Sequence, residues 1–335
     1  MQPATKSPSS STSENKLNEP RKPIFSGLLH DAARTSFDLF KIMIPISIAA
    51  RILVQMGAVE PIGKMLAPVM NLCGLPGSMG IVWATAMITN IYGGMAAFAA
   101  LAPAENLTVA QATVLGTMIL LAHTLPVELR VAQKSGPRFR AMAALRLSSA
   151  VLLGVILNLI YTHGGWLQQA NRLAWMPESR DNSWPAWAAG QAKSLLVIFL
   201  IILALLVLMR VLSRIGVIAL LTRWLAPALR LLGISAEAAP LTIVGMTMGM
   251  SYGGGMIIQE AKSGKLAKRD IFFSVALMSI CHSVIEDSLL VMAIGAHFSG
   301  VFWARIIFAL VVIALLVKLV KRLPEHVFEK YLVRK

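Results

Sequence analysis

Apolar stretches close to the roughly 20 residues that cross a bilayer recur along this chain of 335 residues. They are too long for ordinary core strands. Of all residues 56% are apolar and only 14% are charged, where a soluble domain carries about 25% charged residues. A chain of this kind cannot clothe itself in water. The sequence therefore reads as an all-α integral membrane protein, which excludes most soluble enzyme classes.

The 31 Lys and Arg against 16 Asp and Glu give a formal charge of +15. In a soluble protein that excess would point to nucleic acid. Here the basic residues lie between apolar segments, where they set membrane orientation, and no nucleic-acid partner is expected. Cys73 and Cys281 lie in or beside apolar segments and read as reduced packing residues rather than a disulfide framework. Residues 1–23 are polar, rich in Ser and Pro and lack an apolar h-region, so they read as a disordered cytoplasmic tail. Residues 163–190, with Trp166, Trp175, Trp184 and Trp187, read as an interfacial linker, and 323–335 as a cytoplasmic tail.

Between these segments the chain repeats itself. At a constant offset of 159, Arg51, Leu53, Gly57, Leu66, Ala67, Pro68, Leu72 and Gly74 match Arg210, Leu212, Gly216, Leu225, Ala226, Pro227, Leu231 and Gly233. Tyr92-Gly93-Gly94-Met95 answers Tyr252-Gly253-Gly254-Gly255-Met256, His123 answers His282, and Glu128 answers Asp287. Chance likeness between apolar helices exchanges Leu for Ile; it does not reproduce Gly, Pro, Tyr and His in order. The repeats occupy 24–162 and 191–322. The first is read as helices near 37–57, 61–73 (amphipathic), 77–102 (Gly-broken), 108–132 and 138–162. The second repeats it as 193–216, 219–232, 236–261, 268–295 and 298–321.

The loop 130–146 holds Arg130, Lys134, Arg138, Arg140 and Arg146 and is expected in the cytoplasm, whereas its counterpart 296–300 has no Lys or Arg. Conversely 262–269 holds Lys262, Lys265, Lys268 and Arg269, against only Glu105 in 103–107. The basic loops swap places, so the repeats are expected to insert in opposite senses. Four apolar segments per repeat then require that one enters and leaves on the same side. Segments 77–102 and 236–261 are the candidates, which gives about six transmembrane helices plus two re-entrant hairpins, with both termini cytoplasmic.

Inverted repeats with discontinuous helices are the architecture of secondary transporters, whose broken segments hold substrate near the midplane. A break exposes N–H and C=O groups that need a partner, and glycine lets a solute approach them. The expected substrate-binding tips are Thr89, Asn90, Tyr92, Gly93 and Gly94 in one half, and Ser251, Tyr252, Gly253, Gly254 and Gly255 in the other. Tight packing is the competing account, since Gly245, Gly249 and Gly253 form a small-xxx-small ladder. On the following helices His123 precedes Glu128, and His282 precedes Glu286 and Asp287. His282 and Glu286 share a face if the helix is unbroken. A charge at mid-bilayer costs about 2.5–3.5 kcal/mol on insertion scales, so such residues usually face a cavity and have a function. His123, His282 and Glu286 are assigned to substrate binding, Glu128 and Asp287 to ion or proton coupling, and Arg51 and Arg210 to snorkelling at the interface.

No GxxxxGK[ST] phosphate loop and no HExxH or CxxC metal signature is present. No catalytic residue, cofactor or resident metal is expected, and the chain does not read as an enzyme.

The Leu-Ala-Pro, following Gly, Tyr-Gly-Gly break and His-containing helix resemble the Gate, or nucleoside recognition, domain, twice over, in about 40–162 and 199–321. Related domains occur in concentrative nucleoside transporters, bacterial ferrous-iron permeases, and spore maturation proteins A and B. The resemblance implies a bacterial inner-membrane module that gates or carries a small polar solute, a nucleoside or similar, by alternating access. Coupling to H⁺ or Na⁺ and homo-oligomerisation stay open. The G domain of the iron permeases and the extra scaffold of the nucleoside transporters have no counterpart here, so neither cargo carries over. A divalent-metal permease using His123, His282, Cys281 and the acidic residues is the second reading, weakened by few thiol and carboxylate ligands. A non-transporting scaffold or partner subunit is the third.

Overall fold

The computed structural model describes residues 27–171, 183–216, 237–264 and 266–334, with isolated positions between 220 and 235. The segments read as 1–23 and 219–232 lie wholly or largely outside the described residues, as do 172–182 of the Trp-containing linker and Lys265. The described chain is helical, with isolated bridges at Thr108–Ala170 and Pro137–Val333.

Helix α1 (Leu28–Gln55) ends where Gly57 takes φ 66°, and the chain bends by 103° into α2 (Val59–Leu72). Glycine supplies that left-handed corner without the clash a Cβ would bring. Helices α3 (Met79–Ile88) and α4 (Ile91–Leu101) follow. Ala86 and Gly94 lie eight positions apart, about 12 Å in a straight helix. A Cβ on Gly94 would nonetheless sit 2.7 Å from that of Ala86, so the chain doubles back as a hairpin. In the second half α9 (Ala238–Met248) and α10 (Met250–Ser263) pack on one another around Gly249, whose φ is 90°. Both breaks fall within three residues before Tyr-Gly-Gly. The motif itself lies in the first turn of α4 and α10, not at the break.

Helix α5 (Val109–Leu121) opens with a capping box between Thr108 and Gln111. The expected continuous helix 108–132 is interrupted at Ala122–Thr124 and resumes as α6 (Leu125–Lys134). Its counterpart is interrupted likewise between α11 (Lys268–Ile280) and α12 (Glu286–Met292). Thr124 (φ 49°) and Ser283 (φ 43°) adopt the left-handed conformation at equivalent positions. Helix α7 (Phe139–Gly164) leads out of the first half, and α8 (Trp184–Arg214) begins the second. Trp184 and Trp187 are therefore helical rather than part of a linker. A π-turn (Ser299–Ala304) opens α13 (Arg305–Lys321), and α14 (Glu325–Tyr331) folds the expected tail back with Phe328 buried.

Four segments are long and apolar enough to cross a membrane: 109–134, 139–164, 184–212 and 299–321. Among the described residues the bent pair α1 and α2 makes a fifth if it is taken as one broken span. These make the chain an all-α membrane protein.

The two halves interlock. Leu290, Val291 and Ile294, on and just after α12, are buried in the core built by α3, α4, α5 and α7. Leu129 and Ala132 of α6 are buried in the core of α9, α11 and α13. Each half thus places the helix that follows its second break inside the other half. The ends also pair crosswise. Val109 N–H donates to Gln169 O, and Asn171 donates to Leu107 O and Ile294 O, joining the start of α5 to the end of α12. At the opposite end Arg138 N–H donates to Leu332 O and Arg334 N–H to Gly136 O, while Lys268 and Arg269 pair with Glu329 and Glu325.

Candidate functional site

Where the chain crosses between the halves, two histidines meet. His123 Nε2 and His282 Nε2 are 3.3 Å apart, their rings 5.1 Å between centroids, and both side chains are buried. Equivalent atoms touch across the repeat, the contact expected beside a local two-fold axis. Glu128 reaches into the pair, with Oε1 3.4 Å from His123 Nε2 and 3.2 Å from His282 Nε2. Asp287 Oδ2 lies 4.0 Å from His282 Nε2. His123, His282 and Asp287 each bring a ligand atom within 4.8 Å of the others.

The local chain accounts for this placement. Helices α5 and α11 both end beside the site, and α6 and α12 both begin there. Helix C-termini attract cations and N-termini attract anions. Glu128, Glu286 and Asp287 occupy the first turns of α6 and α12 accordingly. Each histidine Nδ1 faces the carbonyl four residues earlier, Ile119 O at 3.0 Å and Met278 O at 2.8 Å. A carbonyl only accepts, so each Nδ1 carries the hydrogen and donates it.

Two arginines, both fully buried, complete the site. Arg146 donates to Leu121 O at 2.9 Å and His123 O at 2.9 Å, and forms an ion pair with Glu128. Arg305 donates to His282 O. Arg305 Nε and Nη1 have no hydrogen-bond partner among the described residues. Arg146 is not the exposed loop residue the charge pattern implied; it lies within α7. Arg305 stands 159 residues after Arg146, the same offset that relates His123 to His282.

The hairpin tips are closed differently. Asn90 caps α4 by accepting from Gly93 N–H at 2.9 Å, and Thr89 donates to Thr85 O at 2.6 Å. A Cβ on Gly93 would fall on Thr89 Oγ1, and one on Gly245 on Met278 Sδ. These glycines serve close packing. The backbone freed at the second breaks is met by the hairpins: Thr124 N–H donates to Ala86 O at 2.9 Å and Val284 N–H to Met246 O at 3.0 Å. Gly255, by contrast, has open space at its Cβ position. Tyr92 is half-buried within electrostatic reach of Glu286 and Asp287. The side chains of Ser251, Tyr252, Gly253 and Gly254 lie outside the described residues. Glu286 stands at the start of α12, so the expected shared face with His282 is broken, and Glu128 from the other half takes that place.

Of the second matched pair, Arg210 forms an ion pair with Asp31 and Arg51 stacks over the Trp184 ring at 5.9 Å. Cavities of about 480, 340 and 170 Å³ open at the α1–α2 corner, beside Asn158 and Gln168, and between α1 and α8. None of the three is lined by His123 or His282.

Residues 195–302 match the Gate family model, described as nucleoside recognition. Over 277 residues the chain is 27% identical to an uncharacterized membrane protein, YvoD, of Bacillus subtilis (strain 168), covering 82% of this chain and 88% of that protein. No solved structure matches. The Gate match takes in both α9–α10 and the break that carries His282. This chain is therefore an all-α membrane protein whose residues 195–302 are similar to the Gate family, described as nucleoside recognition.

Proposed function

We propose that the chain is a transporter-like protein of the bacterial inner membrane. It moves a small polar solute, a nucleoside or similar, by alternating access at the seam between two inverted halves. The observation that carries this reading is the meeting of His123 and His282 at 3.3 Å with Glu128 between them. Polar groups from both halves converge at one buried point, which a carrier requires and a dry scaffold interface does not. The inverted arrangement, with six spans and two re-entrant hairpins, is supported by the start of α5 pairing with the end of α12. It is also supported by the basic residues near 134–138 and 268–269 gathering at the opposite end with the C-terminal segment. Residues of that end are assigned to the cytoplasm. No catalytic step is assigned, and the nucleoside class rests on the description of the matched family.

The test is thermal unfolding of the purified protein in detergent against nucleosides, nucleobases, carboxylates and divalent metals. A ligand at one hundred times its dissociation constant stabilises by about 2.7 kcal/mol. A nucleoside-dependent rise in midpoint that Tyr92→Ala or His123→Gln removes is the expected result; no rise with any organic solute refutes the solute reading. The second reading, a divalent-metal permease, is favoured by His282 and Glu128 standing 3.2 Å apart.

A further inference from the structure

We infer that His123, His282 and Glu128 form a binding site for one divalent transition-metal ion of the zinc class, with Asp287 beside it as a fourth donor. Each histidine Nδ1 donates to a carbonyl, so in the neutral ring each Nε2 presents a bare lone pair. The third atom, Glu128 Oε1, is also an acceptor. With both rings neutral, three acceptors stand 3.2, 3.3 and 3.4 Å apart with no donor among them. A single proton bridges two such atoms, not three. A tetrahedral ion with bonds of about 2.0–2.1 Å holds its ligands about 3.3–3.4 Å from one another. The triangle has the edge length that such an ion imposes.

The surroundings agree. A metal-bound histidine usually donates its other ring N–H to a carbonyl or carboxylate, which fixes tautomer and orientation. Ile119 O and Met278 O accept that hydrogen here. Glu128 Oε2 is held by Arg146, leaving Oε1 for the ion. Two histidines and two carboxylates, all N or O donors, are a zinc-type set. Sequence spacing hides the site, because its ligands come from both halves and no HExxH or CxxC run exists.

The inference rests on the seam reading only for the location of the ion, and it holds whether the ion is cargo, coupler or clamp. The experiment is binding of Zn²⁺ and Co²⁺ to chelator-stripped full-length protein in detergent, where no transport occurs, so loss of binding and loss of flux are separate results. One ion per chain is expected. Its X-ray absorption should show two imidazoles and N/O-only ligation at about 2.0–2.1 Å. His123→Gln, His282→Gln and Glu128→Gln should each weaken binding at least tenfold, while His163→Gln, an exposed histidine, leaves it unchanged. The absorption measurement uses unaltered protein and stays decisive if a variant misfolds. No stoichiometric ion in the unaltered protein, sulfur ligation, or equal binding in the three ligand variants would overturn the site.

Discussion

Arg146→Met separates the two buried arginines and tests the electrostatics of the seam. The substitution keeps much of the side chain's volume but leaves Glu128 with a buried carboxylate and Leu121 O and His123 O without their donor. Removing one partner of a buried ion pair costs about 3–5 kcal/mol. Arg305 makes one such bond, to His282 O, so Arg305→Met should cost only the roughly 1.5–3 kcal/mol of a single charged hydrogen bond. Adding Glu128→Gln to Arg146→Met removes the stranded charge and should recover a large part of the loss. The assay is equilibrium unfolding in mixed detergent and dodecyl-sulfate micelles, followed by circular dichroism with chelator present. If Arg146→Met costs no more than Arg305→Met, or if the double variant is no better than the single, the ion pair is not what holds the seam.

The glycines give a contrast of sign. Gly94→Ala forces a Cβ to 2.7 Å from Ala86 and should destabilise by about 1–3 kcal/mol, whereas Gly255→Ala, with open space in helix α10, should stabilise by about 0.5–1 kcal/mol. The same unfolding assay reads both. Phe328→Ala empties a fully buried position against Phe272, 5.6 Å away, and should cost about 3–5 kcal/mol and expose α14 to protease. For topology, single cysteines at exposed Lys134 and Ser263 should react with an impermeant thiol reagent from one side of the membrane, and one at Gln169 from the other only. Labelling of all three from one side contradicts opposed halves.

Glycine, proline, tyrosine and histidine do not substitute for one another within apolar helices, which is what makes the matches at offset 159 legible in the sequence. The hairpin break before Tyr92 was found within three residues for the same reason, and the corner at Gly57 announced itself between two apolar runs. The second breaks were missed. Pro126 marks one of them, but 281–285 contains neither Gly nor Pro, although Ser283 has φ 43°. A hydrophobic pattern also cannot tell a loop arginine from one aimed at carbonyls inside the protein, as Arg146 and Arg305 are. His282 was paired with Glu286 from helical spacing, while its actual neighbour, Glu128, is 154 positions away. Only the crossing of α6 and α12 between the two cores brings those residues together.

The central claim is that solute passes at the seam where His123 and His282 meet. Uptake into proteoliposomes containing only this chain, measured for the ligand that raises the unfolding midpoint, tests it most directly. Saturable uptake that His123→Gln and His282→Gln each reduce at least tenfold, with both variants folded and inserted, is the predicted result. Saturable uptake left intact by either substitution would contradict it.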